Sequence, residues 1–274
     1  MTRHSMKRPR FAITSLTAGL FVVLALPAVT MAAMEPFFTA KIYDLKDRSK
    51  HMFNYTSEVE QNGESRTFVN TVTDLEGKVL VVEKTVATNG GRTVVSFEQD
   101  QKQLGTLGKL EVRDGKIHFS FTKDGKTKTD DEKVSDDFIV TSTLVANVRG
   151  EWAKIMKGET VKVRLGVLDR LETVGFQFKK EADTIPSGGP GHLVKMKPSS
   201  VIISALVNPL RFGFDTEGHH LLELEGRTNV KVMVDGKWKD FDGYTVYSYP
   251  APKAEAPAAT PAPEKPAKGS KKKK

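Results

Sequence analysis

The sequence predicts a mainly β protein: a single curved antiparallel sheet or open β-barrel with one or two covering helices. Three observations carry that expectation. Between Phe37 and Thr122, and again after Glu159, apolar and polar residues alternate in short runs divided by turn dipeptides. One stretch, Thr143 to Lys157, instead spaces its apolar residues at the period of a helix. The chain has no cysteine, so neither disulfides nor thiolate-bound metals hold it, and its stability must come from a hydrophobic core.

Residues 1–33 have the three parts of a secretory signal peptide: a basic start (Arg3, Lys7, Arg8, Arg10), an apolar run from Leu16 to Leu26, and small residues after Pro27. That run is shorter than the roughly 20 residues that cross a bilayer, and Thr17 and Gly19 dilute it, so cleavage is expected rather than anchoring. Both Ala32 and Ala33 fit as the last residue removed. The expected product is periplasmic or secreted, with residues 34–250 as a β-rich domain and 251–274 as a disordered tail. Of the net charge of +8, the leader carries +4 and the tail +5, which leaves −1 on residues 34–250. A near-neutral domain offers no basic groove, and nucleic acid is not an expected partner.

Within the domain, the runs 52–60, 65–73, 78–87, 92–99, 109–113 and 116–122 read as successive strands. Asn62-Gly63, Gly77, Asn89-Gly90-Gly91, Asp114-Gly115 and Asp124-Gly125 supply the turns, because these residues accept the positive φ of tight hairpins. In KIHFSFT, Ile117, Phe119 and Phe121 share one face and His118, Ser120 and Thr122 the other, so one side of the sheet is buried and one is wet. Residues 123–137 are charged and read as a solvated loop or long hairpin tip; their aspartates lack the spacing of a calcium loop.

Leu144, Val145, Val148, Trp152, Ile155 and Met156 form the stripe of the helix, Ser142 or Thr143 can cap it, and Gly158 can end it. Gly150 in its middle costs about 1 kcal/mol relative to alanine. Strands resume at 159–167, 173–181 and 192–197, around a flexible glycine-rich loop at 185–192 that lacks the lysine and hydroxyl residue of a phosphate-binding loop. Val201, Ile202, Ala205 and Leu206 fit one or two helical turns or a strand; LRFGFD with HHLLELEG, and then 230–249, read as further hairpins. Beyond Pro250 the proline, alanine and lysine content cannot form a core.

Chemistry is sparse. There is no Gly-x-Ser-x-Gly elbow and no His-Glu-x-x-His pair. On a strand, His219, Glu223 and Glu225 would share a face, which is both a weak acid/base or metal set and the ordinary wet side of a hairpin. No cofactor or metal site is expected, and the protein is not expected to be an enzyme.

The order of elements, with Gly158-Glu159-Thr160-Val161 after the helix and the hairpin Leu210 to Gly226, resembles the bacterial envelope proteins grouped as domain of unknown function 3108, over about residues 50–235. That resemblance implies an open antiparallel barrel similar to those of lipoprotein carriers, and it supplies no catalytic residues. The corresponding functional expectation is an apolar groove between sheet and helix for a lipid chain or lipoprotein segment, lined by Phe119, Phe121, Trp152, Met156, Phe176 and Phe178. The alternative expectation is a structural or assembly factor of the envelope that works through its sheet edges and basic tail. Lys271, Lys272, Lys273 and Lys274 would then meet an anionic polymer or membrane surface, at on the order of 1 kcal/mol per lysine; the same lysines also suit a solubilising tail.

Overall fold

Turn chemistry sets the topology. In the computed structural model, which describes residues 33–204 and 207–251, Asp114-Gly115, Asp124-Gly125 and Asp235-Gly236 each have both residues at positive φ, the requirement of a type I′ hairpin turn. Each joins two strands in antiparallel register. Eight strands follow one another in the first half: β1 (Glu35–Asp44), β2 (His51–Asn62), β3 (Ser65–Thr73), β4 (Val79–Thr88), β5 (Thr93–Gln101), β6 (Thr106–Arg113), β7 (Lys116–Lys123) and β8 (Lys126–Lys133). The short β9 (Phe138–Ile139) leads through a 3-10 turn, Thr141–Thr143, to α1 (Leu144–Gly150) and α2 (Trp152–Met156). Then come β10 (Val161–Val167), β11 (Glu172–Thr184), β12 (Pro190–Pro198), α3 (Val201–Ser204), β13 (Leu210–Phe214), β14 (Leu221–Val234) and β15 (Lys237–Ser248).

All fifteen strands belong to one sheet, in the order β8 to β1, then β15 down to β9. The first and last strands pair with each other at its centre, Ala40 opposite Tyr247 and Ile42 opposite Thr245. Each half is a meander of antiparallel neighbours; among the described residues the exception is β9, which runs parallel to β10 across the helical connection. The sheet is curved and does not close. Its free edge β8 instead reaches the far half through one side chain: Glu132 accepts hydrogen bonds from Thr173 N (2.7 Å), Thr173 Oγ1 (2.5 Å) and Arg164 Nη2 (3.1 Å).

Three apolar clusters fill the concave side. Ile42, Phe53, Val72, Val81, Val230 and Phe241 join β1 to β4 with β14 and β15. Val94, Leu110, Ile117 and Phe119 pack with Phe138 and Leu168. Val148 of α1 and Ile155 of α2 pack onto Phe178, Met196, Phe212 and Phe214 of the sheet. Across the interior, Gln103 Nε2 donates to Lys231 O (2.8 Å) while its Oε1 accepts from Lys231 N (2.9 Å), at the register shift in β14 where the ladder with β15 is interrupted.

Several sequence expectations change. The predicted single helix breaks at Glu151, whose φ of −106° and ψ of 14° interrupt it. Arg92 lies across the break, ion-paired to Glu151 at 2.9 Å, and its guanidinium occupies the space a side chain at Gly150 would need. Thr143 holds the N-cap position of α1 but makes no side-chain capping bond; its hydroxyl donates back to Val140 O at 3.0 Å. Most of the charged stretch 123–137 is strand β8, because backbone pairing with β7 needs no apolar face at a sheet edge. The loop predicted at 185–192 is shorter: residues 190–192 belong to β12, and Ser187 N donates to Glu223 Oε2 at 2.9 Å, which seats the turn on the outer face of β14. The pattern Val201 to Leu206 forms helix over Val201–Ser204, and Ala205 and Leu206 lie outside the described residues. The leader through residue 32 and the tail from 252, including Lys271 to Lys274, also lie outside them. No helix among the described residues is long and apolar enough to cross a membrane.

Candidate binding site

Four neighbouring strands carry polar residues among their inward-facing apolar ones. β2 presents Phe53, Tyr55 and Ser57; β3 presents Phe68, Asn70 and Val72; β4 presents Val81, Glu83 and Thr85; β5 presents Phe97, Gln99 and Gln101. Register aligns the polar members, with Ser57 opposite Asn70, Asn70 opposite Glu83, and Glu83 opposite Gln99. They form a polar row across the concave face, flanked by the mainly apolar rows Tyr55, Val72, Val81, Gln101 and Val59, Phe68, Thr85, Phe97.

Glu83 is the row's only ionisable member and is 2% exposed. Gln99 Nε2 donates to its Oε1 at 2.8 Å, and Thr141 Oγ1 donates to the same atom at 3.3 Å. Asn70 Nδ2 donates to Ser142 Oγ at 3.2 Å, so the turn that leads into α1 is fastened onto the row. The hydroxyl of Ser57, 1% exposed, has no hydrogen-bond partner.

Above the row lies a cavity of about 450 Å³. Leu144 and Val145 of α1 roof it, and Phe212, Leu221 and Leu224 form the wall from β13 and β14. Opposite stands an aromatic group. Phe38 meets Tyr55 and Tyr247 at ring-centroid distances of 5.1 Å each, edge to face. A register shift at Phe37 turns two consecutive residues of β1 toward Tyr249, with Phe37 at 6.4 Å and Phe38 at 6.3 Å. Burial pushes the Tyr55 phenol well above its usual range, and the Glu83 carboxylate adds to the shift. Burial likewise raises Tyr247, and raises Tyr249 to about 12. These phenols are neutral at physiological pH. Arg149, at the end of α1, stands exposed at the rim and makes no ion pair among the described residues.

The chain matches no protein-family model, no curated protein and no solved structure. The site therefore has to be read from its own residues.

Sequence reasoning named six other aromatic and thioether side chains, and the structure divides them between two clusters. Phe119 is buried with Phe97 and Leu110, and Phe121 packs beside them. Phe178 is buried beneath the helices, where Phe176, Trp152 and Met156 pack against it. None of the six lines the cavity, which meets the helical segment at Leu144, Val145 and Arg149. Trp152 instead covers Phe214, with centroids 5.2 Å apart, and the turn at Gly218.

The His219, His220, Glu223 and Glu225 group also separates. β14 begins only at Leu221, so both histidines lie in the turn before it, where Asp215 accepts from His219 N (2.7 Å) and His220 N (3.0 Å). Glu223 and Glu225 face outward; Glu225 is ion-paired to Arg48, whose guanidinium lies over the Tyr244 ring at 4.3 Å. Among the described residues no group of three or more His, Asp or Glu side chains could hold a metal ion.

The functional residues that sequence reasoning missed had a readable signal. In FNYTSEV, TFVNTVT, VLVVEKTV and SFEQDQ, the parity that places Phe53, Phe68, Val81 and Phe97 inside also places Ser57, Asn70, Glu83 and Gln99 inside. A polar residue on the apolar parity of four successive strands marks a row that needs partners.

Proposed function

We propose that the protein is a non-enzymatic binding or carrier protein of the cell envelope, whose cavity between α1 and the concave sheet receives an apolar ligand such as a lipid chain or lipoprotein segment. The cavity itself carries this reading. Its volume of about 450 Å³ falls in the range usual for ligand sites, and its aromatic and aliphatic wall, Phe37, Phe38, Tyr55, Leu144, Phe212 and Tyr247 among it, is interrupted by polar groups from the sheet, the helical entry and β14. The His220 ring is hydrogen-bonded to Asp215 at 3.0 Å, and among the described residues neither His219 nor His220 is hydrogen-bonded to a hydroxyl of the site, which favours binding over chemistry. The signal-like residues 1–33 and the resemblance to the envelope family add the expectation of export to the periplasm.

The assembly-factor alternative draws less support. Edge strand β8, KTKTDDEK, mixes both signs of charge along its length, a pattern that blunts edge-to-edge pairing. Deleting residues 251–274 separates the two readings: an assembly factor anchored by its tail loses envelope association, whereas a carrier keeps its ligand.

The direct test extracts the protein purified from its host with organic solvent, identifies what it carries by mass spectrometry, and titrates the stripped protein with the fluorophore N-phenylnaphthylamine. Leu224→Trp, which adds bulk to the cavity wall, should weaken fluorophore binding by about tenfold or more while the fold persists. An empty extract together with no fluorophore binding would reject the proposal.

A further inference from the structure

The charge inside the cavity points to the kind of ligand. Glu83 is 2% exposed, and among the described residues no lysine, arginine or histidine pairs with it. Its two hydrogen bonds come from neutral groups and both arrive at Oε1. Glu181, Glu225 and Asp240 on the outer surface each have a cationic partner although each is more exposed, while the buried Glu223 of the outer face, at 6% exposure, accepts from the Ser187 amide. A buried charge without a counter-charge is costly in a folded chain, and the cost falls when a cation arrives.

We propose that the cavity binds an organic cation, with the ammonium group of the ligand at the Glu83 carboxylate and its hydrocarbon part between α1 and the aromatic wall. The inference rests on the carrier reading and narrows its ligand class. Two further features suit an ammonium group. Its several N–H donors have acceptors to meet in the polar row: Glu83, the unpaired Ser57 hydroxyl and the Asn70 side chain between them in register. The approach also passes the rings of Phe38, Tyr55 and Tyr247, whose π faces attract cations, and the two phenols stay neutral and keep that character.

Two arginines that line the cavity favour an anion: Arg227, which is ion-paired to Asp240 and Asp242, and Arg149. Arg149 stands exposed at the rim, where solvent and salt weaken its field, while Glu83 lies in the low-dielectric interior where a charge acts strongly. The buried charge therefore decides the sign.

The experiment measures binding of four ligands with one chain length to the full-length protein by calorimetry, below their micelle concentrations: dodecyltrimethylammonium, dodecylamine, dodecanol and laurate. The expected result is that dodecylamine binds at least about tenfold tighter than the alcohol and laurate, and that dodecyltrimethylammonium, which keeps the charge and the ring contacts without N–H donors, falls between. Glu83→Gln should remove that preference and leave dodecanol binding unchanged. If Glu83→Gln fails to fold, Tyr55→Leu takes its place and should weaken the trimethylammonium ligand more than the alcohol. Equal binding of all four overturns the cation assignment and leaves the carrier reading standing. A preference for laurate that Arg149→Gln abolishes overturns it in favour of an anion at the rim. Binding of none removes the carrier reading and the assignment with it.

Discussion

At the scale of single residues, the interior is defined by neutral phenols beside one carboxylate. Tyr55, Tyr247 and Tyr249 line the cavity and Tyr244 lies on the outer face under Arg48; burial raises all four, Tyr244 and Tyr249 to about 12. A phenol raised in the folded state stabilises the fold at pH values below the unfolded pKa, near 10, and that contribution is lost as pH rises toward the folded value. Alkaline titration followed at 295 nm should therefore show at most one of the five tyrosines ionising before the fold is lost, with the other four appearing together in the unfolding transition. Gradual ionisation of several tyrosines near pH 10 in a still-folded protein would mean that water reaches the cavity wall freely. Tyr55 and Tyr247 should also respond to Glu83: with the carboxylate neutralised in Glu83→Gln, one contribution to their elevation disappears and their ionisation moves toward lower pH.

At the scale of elements, the strands that sequence revealed are those with one dry face and a glycine turn. β2 to β7 alternate and end in Asn-Gly, Asp-Gly or related turns, so period and punctuation agreed. β1 was not singled out as a strand because Pro36 and the shift at Phe37 break its alternation, and β8 because an edge strand with no buried face carries no period at all. The helical stripe was legible, but not its break, which depends on Arg92 from a distant strand connection. The cavity was hidden for the same reason: Ser57, Asn70, Glu83 and Gln99 meet only through strand register. The pairing of Trp152 with Gly218 offers a test at this scale. Gly218 has φ of +73°, and a Cβ there would lie 2.3 Å from the indole, a rigid obstacle. Gly218→Ala should cost roughly 2–4 kcal/mol from strain and displacement of Trp152, read as a fall in melting temperature with a shift in tryptophan fluorescence. An unchanged emission spectrum would show that α2 does not rest on this turn.

At the scale of the whole molecule, the chain places its first and last strands at the centre of the sheet and leaves its free edges on the far side. Backbone pairing does not join those edges; Glu132 bridges them beside the apolar cluster in which Leu110 and Phe119 meet Phe138 and Leu168. It reaches from β8 to an amide, a hydroxyl and a guanidinium of the opposite half, and Arg164 Nε is held in place by Thr173 Oγ1 at 2.6 Å. Removing the carboxylate leaves the Thr173 amide without its acceptor and costs about 1–3 kcal/mol, toward the lower end because Glu132 is partly exposed. Glu132→Ala should therefore speed hydrogen exchange in β7, β8 and the start of β11 and leave the central β1–β15 pair protected, since six residue pairs hold that seam independently. Glu132→Gln, which keeps an acceptor but no charge, should fall between the two. Faster exchange at β1 and β15 in the alanine variant would mean that the curvature of the sheet is a single cooperative unit, and that opening one edge loosens the cavity at its centre.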